Sequence, residues 1–425
     1  LLVKLRPRWK GAFISVIALA FGGLLGFHPQ AGMASAALFQ PDDSAIVAFD
    51  EIVARLGTAT DLRSREQVAT ALVDKGYALE NLGQYDNAIA VYEDVLNRFG
   101  NAPELQLREQ VADALVSKAI ALGTLGRIDN ELAVEDEVVA RFGTAHEPFL
   151  RKQVGNALYN KALRLGKIGR DDDAVAAYDE ILTRFSASTE LPMRELLADA
   201  LFNKAFRLGV QGRTEDAISV YDDLISRFGE ATEAHFRKQV ASALSNKGLM
   251  LGSLGRNQDA IAIDDQIIRR FGAATEPALR EAVAGALVNK GLALGAIGQR
   301  NEQLAVNNEV IARFGTASEP ALREAVATTL TNKAASLDAL GRSEEALAVL
   351  SDIIARFGTA SELRLREQVA RALMGKGMVL RKLGRTDQAS AAFNEVVARY
   401  ADATEQTLRE TAIQAATFKI AAQMN

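Results

Sequence analysis

Cysteine is absent from the entire chain, so no disulfide framework, thiol nucleophile or cysteine-based metal site can be built from it. Histidine is nearly as scarce, at three in 425 residues. The two beyond the N-terminal segment, His146 and His235, stand without a ligand-spaced partner, which gives no metal site and no catalytic centre. No Gly-rich phosphate loop occurs, because the recurring Leu-Gly-Arg reads as a helix stop and not as a strand-to-helix turn. Asp171, Asp172 and Asp173 open a helix, where attraction to the positive dipole end explains them without a metal. The formal net charge is −5 and no basic stripe is present, which argues against nucleic acid as a ligand. What remains reads as a non-enzyme without cofactor or metal, poor in aromatics at 6% and rich in Ala and Leu, a composition that suits helices.

What is there is a period. Arg98-Phe99 returns as Arg141-Phe142, Arg184-Phe185, Arg227-Phe228, Arg270-Phe271, Arg313-Phe314 and Arg356-Phe357, each 43 residues on. Arg55-Leu56 precedes the series and Arg399-Tyr400 closes it in the same register, without insertion or deletion. Eight full units run over 57–400. A link and N-terminal half-unit occupy 37–56, and 401–425 matches the first half of a unit, as a closing helix would. Half-units at both ends suit an array whose terminal faces have no neighbour to cover them.

Residues 1–36 stand outside the period. Lys4, Arg6, Arg8 and Lys10 precede an apolar run from Gly11 to Phe27, and Ala34-Ser35-Ala36 follows. That is the layout of a secretory signal with its cleavage site, or of an uncleaved N-terminal anchor. Either reading implies an exported chain, placed in a bacterial periplasm or cell envelope or outside the cell, whose only membrane contact is this segment if it is retained.

Each period resolves into two helices. In the second unit Leu107, Val111, Leu115 and Leu122 form one apolar stripe, and Gly126, with a Gly at the equivalent place of every unit, stops the helix in a left-handed cap. The second helix then starts within a few residues, with Thr214, Asn257, Ser343 and Thr386 expected as N-caps. It ends at the Arg-Phe pair, where Arg meets the negative helix end. The expected lengths are about 22 and about 14 residues, or ~33 and ~21 Å.

Gly76, Leu79, Ala88, Tyr92 and Val95 sit at the spacing of the tetratricopeptide repeat, with Leu72 opening the signature. The chain resembles that family over residues 41 to 425. The resemblance implies an all-α, right-handed α-solenoid of helix-turn-helix repeats that binds a protein or peptide partner on its concave, first-helix surface. The chain departs from the family in three ways. Its period is 43 and not 34, with the surplus in the first helix. Glu131 with Glu135, and Gln303 with Asn307, replace the small and aromatic pair of two second helices. A Lys takes a place the family gives to Leu.

That Lys recurs as Lys75, Lys118, Lys161, Lys204, Lys247, Lys290, Lys333, Lys376 and Lys419. Its position within the apolar stripe requires a partner or an escape to water. A structural ladder, each Lys pairing with a second-helix carboxylate, is the preferred reading; an ammonium ladder for an acidic ligand is the other. Arg65, Arg108, Arg151, Arg194, Arg237, Arg280, Arg323, Arg366 and Arg409 each follow an acid by four residues, which predicts intrahelical pairs. Asn160, Asn203, Asn246, Asn289 and Asn332 precede the Lys, and the family resemblance makes them candidates to grip a peptide. Tyr159, Phe202 and Phe206, beside Leu163 and Leu249, would supply an apolar floor. A second function class remains open: an assembly protein of the cell envelope, homo-oligomeric through contacts such as Ile413, Phe418 and Ile420 of the last helix.

Overall fold

A computed structural model describes residues 43–423, and the segment read as a signal or anchor lies outside them. The described chain divides into two compact units, one ending at Phe228 and the other beginning at Gly229. All of its regular structure is α-helical.

The first unit opens with α1 (Asp43–Leu56), followed by the hairpins α2 (Leu62–Asn81) with α3 (Tyr85–Phe99), α4 (Leu105–Thr124) with α5 (Ile128–Phe142), α6 (Pro148–Lys167) with α7 (Asp171–Phe185), and α8 (Leu191–Val210) with α9 (Thr214–Phe228). The second unit pairs α10 (Ala234–Ser253) with α11 (Asn257–Phe271), α12 (Pro277–Ala296) with α13 (Arg300–Phe314), α14 (Pro320–Ala339) with α15 (Ser343–Phe357), and α16 (Leu363–Lys382) with α17 (Thr386–Tyr400), and closes on α18 (Gln406–Gln423). First helices are 20 residues long and second helices 15, against the expected 22 and 14. Within each unit a second helix packs against its own first helix and the next one, and successive first helices pack together. This is an α-solenoid arrangement, in which no hairpin covers its own apolar faces and stacking buries them.

The turns follow from backbone chemistry. Gly126 has φ +73, and the equivalent glycines are also left-handed. Arg127 N donates to Leu122 O at 2.9 Å and Gly126 N to Gly123 O at 3.1 Å, the paired bonds that close a helix through a left-handed residue. The expected N-caps are displaced by one: Asn257, Ser343 and Thr386 are the first helical residues, and Arg256, Arg342 and Arg385 before them take the cap position without a side-chain cap bond. Thr214 likewise stands inside α9. The Schellman turn already fixes the entry of the next helix, so the side chains bond elsewhere. Ser343 Oγ donates to Asp338 Oδ1 at 2.6 Å.

The core sits between paired helices. Tyr92, Tyr178, Tyr221 and Phe393 of the second helices are fully buried. Gly76 makes room for Tyr92, since a Cβ there would lie 2.2 Å from its ring, and Gly377 does the same for Phe393 at 2.5 Å. At the same second-helix place stand Glu135, Asp264 and Asn307, all buried, and Leu350, so three hairpins carry polar groups where four others carry rings and one carries Leu.

Candidate functional surface

The Arg ladder crosses between hairpins. Glu104 Oε1 accepts from Arg65 Nη1 at 2.7 Å, Glu147 from Arg108 at 2.9 Å, Glu190 from Arg151 at 3.0 Å and Glu405 from Arg366 at 2.6 Å. Arg237 with Glu276, Arg280 with Glu319 and Arg323 with Glu362 repeat the pattern. The intrahelical pairs expected from the spacing are therefore corrected. Each acid is the N-cap of its helix, with extended backbone such as φ −70, ψ 134 at Glu104, so it lies off the helical face and meets the Arg of the preceding hairpin. Asp61, the first of the series, instead caps its own helix by accepting from Ser64 N at 3.0 Å.

The Arg of the Arg-Phe pair also reaches back. Arg184 Nη1 donates to Gly143 O at 2.9 Å, Arg399 to Gly358 O at 3.0 Å and Arg313 to Gly272 O at 2.6 Å. Each guanidinium thus meets the negative end of the preceding second helix.

The Lys ladder is internal over much of its length. Lys75 Nζ meets Asp50 at 2.5 Å, Lys118 meets Glu93 at 2.9 Å, Lys204 meets Asp179 at 2.5 Å and Lys290 meets Asp265 at 2.6 Å, and Lys161 pairs with Asp136. In each case the acid is 25 residues earlier, on the preceding second helix. At Lys333, Lys376 and Lys419 that place holds Asn308, Ser351 and Asn394, and no ladder pair forms.

A seam of polar side chains runs along the first helices. Gln153 Nε2 donates to Asp113 Oδ1 at 2.9 Å, Ser117 Oγ to Tyr77 OH at 3.4 Å and Asn203 Nδ2 to Tyr159 OH at 2.8 Å. In the second unit Gln368 accepts from Thr331 at 2.9 Å and donates to Thr328 at 3.1 Å. Every one of these bonds joins neighbouring first helices. Among the candidate residues, Asn203 and Tyr159 are brought together, with Tyr159 edge-on to Tyr178 at 6.1 Å. Asn160, Asn289 and Asn332 are half-buried, and their amides make no hydrogen bond. Phe206, Leu163 and Leu249 are half-buried too.

Two candidates are corrected. Phe202 is 1% exposed and packs on Tyr221 at 5.8 Å, so it belongs to the core and not to an open floor. Asn246 is buried as well. On α18, Ile413 is exposed, Phe418 stacks on Phe393 at 5.9 Å, and the Ile420 side chain lies outside the described residues.

Burial shifts several acids, of which the sequence marks only Glu131 and Glu135, as departures from the repeat pattern. Glu80 is pushed up to about 7 by burial, with the Tyr92 hydroxyl donating to it at 3.1 Å. Burial likewise raises Asp113, near Tyr77. Glu135 is pushed up to about 9 by burial and by the charge of Glu131 beside it, while Glu131 itself pairs with Arg164 at 2.6 Å. His235 lies edge-on to Phe236 at 5.8 Å, and no cluster with metal-ligand geometry occurs among the described residues. No described helix is long and apolar enough to cross a membrane.

Family models described as tetratricopeptide repeat match residues 69–99 and 331–404. Among solved structures, the apo form of RapI is similar at 11% identity, covering 84% of this chain and 98% of its own with a TM-score of 0.52. A tetratricopeptide repeat protein from Parabacteroides merdae ATCC 43184 is similar at 15% identity over 72% of this chain and 98% of its own, with a TM-score of 0.41. No curated protein sequence matches the chain.

Proposed function

The chain belongs to the tetratricopeptide repeat family, and from that premise we propose that it is a non-enzymatic scaffold holding a protein or peptide partner along its first-helix surface. The observation that carries this reading is the polar seam. It links first helix to first helix by side-chain bonds, yet leaves the amides of Asn160, Asn289 and Asn332 without a partner. A carboxamide offers both donor and acceptor, which suits it to an extended peptide backbone. The basic and apolar N-terminal segment supports export of the chain to a periplasm or cell envelope, and N-terminal sequencing of the mature protein tests that step.

Combined Asn160→Ala, Asn289→Ala and Asn332→Ala removes amides that hold nothing inside the fold. The melting temperature should stay within a degree or two of wild type, as about 0.5 kcal/mol or less is expected from such sites. A partner that co-purifies with wild type should be lost from the variant. Recovery of the same partner from both contradicts first-helix binding. The exposed Ile413 favours a second reading, assembly of the chain with itself, for which sedimentation would show association that rises with concentration.

A further inference from the structure

The Lys ladder breaks in the second unit, and at one of the breaks the structure leaves a cleft. Its walls are α15 and α17, its floor is α16, and its volume is about 580 Å³, within the range of sites that hold a small ligand or a few residues of peptide. Lys376 lies in the floor, half-buried, with Leu347, Ala348, Ala391 and Leu380 around it. In the intact rungs the ammonium meets a carboxylate from the preceding second helix, as Lys118 meets Glu93 at 2.9 Å. Here the wall residue at that place is Ser351, too short and uncharged to replace it.

The other charges of the cleft are already matched. Glu344 accepts from Arg385 at 2.5 Å and Glu395 from Arg399 at 2.6 Å, so Lys376 is the one cation lining the cleft without a carboxylate. The helix that carries it is strongly basic, with Arg364, Arg366, Arg371, Lys376, Arg381 and Lys382 against the single acid Glu367. A half-buried ammonium without a counter-charge favours an incoming anion. Leu347, Ala348, Ala391 and Ala392, interspersed among the polar residues of the walls, can meet the methylenes of an acidic side chain.

We propose that the cleft between α15 and α17 is a second binding site, which takes an Asp or Glu side chain of an acidic peptide at Lys376, in the slot that the array's own acid fills in the intact rungs. The site lies where α16 meets the flanking second helices, apart from the positions of Asn160, Asn289 and Asn332, and stands whether or not those bind a peptide. It makes the ladder a dual device, closed where the acid is built in and open where Ser351 stands.

The test uses the whole protein and a fluorescein-labelled hexaglutamate peptide, titrated by fluorescence anisotropy at low salt, with hexaglutamine as the uncharged probe. Wild type should bind hexaglutamate and not hexaglutamine. Lys376→Gln should weaken binding by about tenfold, in keeping with loss of one charge-assisted hydrogen bond. Ser351→Asp, which rebuilds the rung and occupies the slot from inside, should weaken it as much while leaving the melting temperature equal or higher. Glu93→Gln opens the rung at Lys118 and should add binding. Equal binding by wild type and Ser351→Asp would overturn the proposal, as would equal affinity for hexaglutamine or no hexaglutamate binding at all. Displacement by inorganic phosphate well beyond that of chloride at equal ionic strength would point to a phosphoryl ligand and overturn the carboxylate assignment.

Discussion

At Gly76 the absence of a side chain is what admits Tyr92 to the core, since a Cβ would stand 2.2 Å from its ring. Gly76→Ala should therefore destabilise by about 1–3 kcal/mol through overpacking, against a helix-propensity gain of about 1 kcal/mol, and urea denaturation measures the net loss. Glu135 shows the opposite case, a carboxyl where other hairpins carry a ring. Its raised value means that the folded state keeps the proton while the unfolded chain releases it near 4.5. The resulting destabilisation is absent below that pH and grows as pH rises toward about 9. Glu135→Leu, which places there what Leu350 provides in a later hairpin, should stabilise by about 1–3 kcal/mol at pH 8. The gain should shrink at pH 5, and paired denaturant curves at the two values check it. The sequence shows Glu135 as a departure from the pattern, but its neighbours and its burial emerge only when the hairpins are stacked.

Among the elements, the helix stops were legible because only a left-handed residue closes that turn and only glycine takes it without strain. Gly126→Ala should cost about 1 kcal/mol, read as a lower denaturant midpoint. The Arg ladder was misread for a reason that spacing cannot reveal. Glu104 and Arg108 are four apart, but Glu104 is an extended N-cap, so the i,i+4 rule for helical faces does not apply to it. The Lys ladder was readable as to partner type, because a charge within an apolar stripe requires a counter-charge. Which acid supplies it, 25 residues back on the preceding hairpin, depends on stacking. Phe202 failed as a surface candidate because an apolar residue on a first helix looks the same in sequence whether it faces a ligand or Tyr221.

For the whole molecule, two sets of carboxyls oppose each other in pH. The N-cap acids Glu104, Glu147, Glu276, Glu319, Glu362 and Glu405 sit below their ordinary value, first through hydrogen bonds from backbone N–H groups and then through the Arg of the preceding hairpin. Their contribution is present above about 4.5 and is lost as pH falls through the lowered folded values. Glu80 and Glu135, raised to about 7 and about 9, act with the opposite sign and weaken the fold as pH rises from 4.5 through those values. Thermal stability should thus peak on the mildly acidic side of neutrality, with a higher melting temperature at pH 5.5 than at pH 8.5. A flat profile, or one that rises to pH 8.5, would show that the buried carboxyls do not govern it.

The account rests most on the claim that partners are held on the first-helix surface, and site-specific photo-crosslinking tests it directly. A benzophenone side chain is placed at Asn160, on a first helix, or at Asp173, exposed on the second helix of the same hairpin, and each protein is irradiated in an extract of its own cells. The account predicts one dominant adduct with a different protein from position 160 and none from 173. Equal adducts from both positions, or adducts of the chain with itself alone, would contradict it.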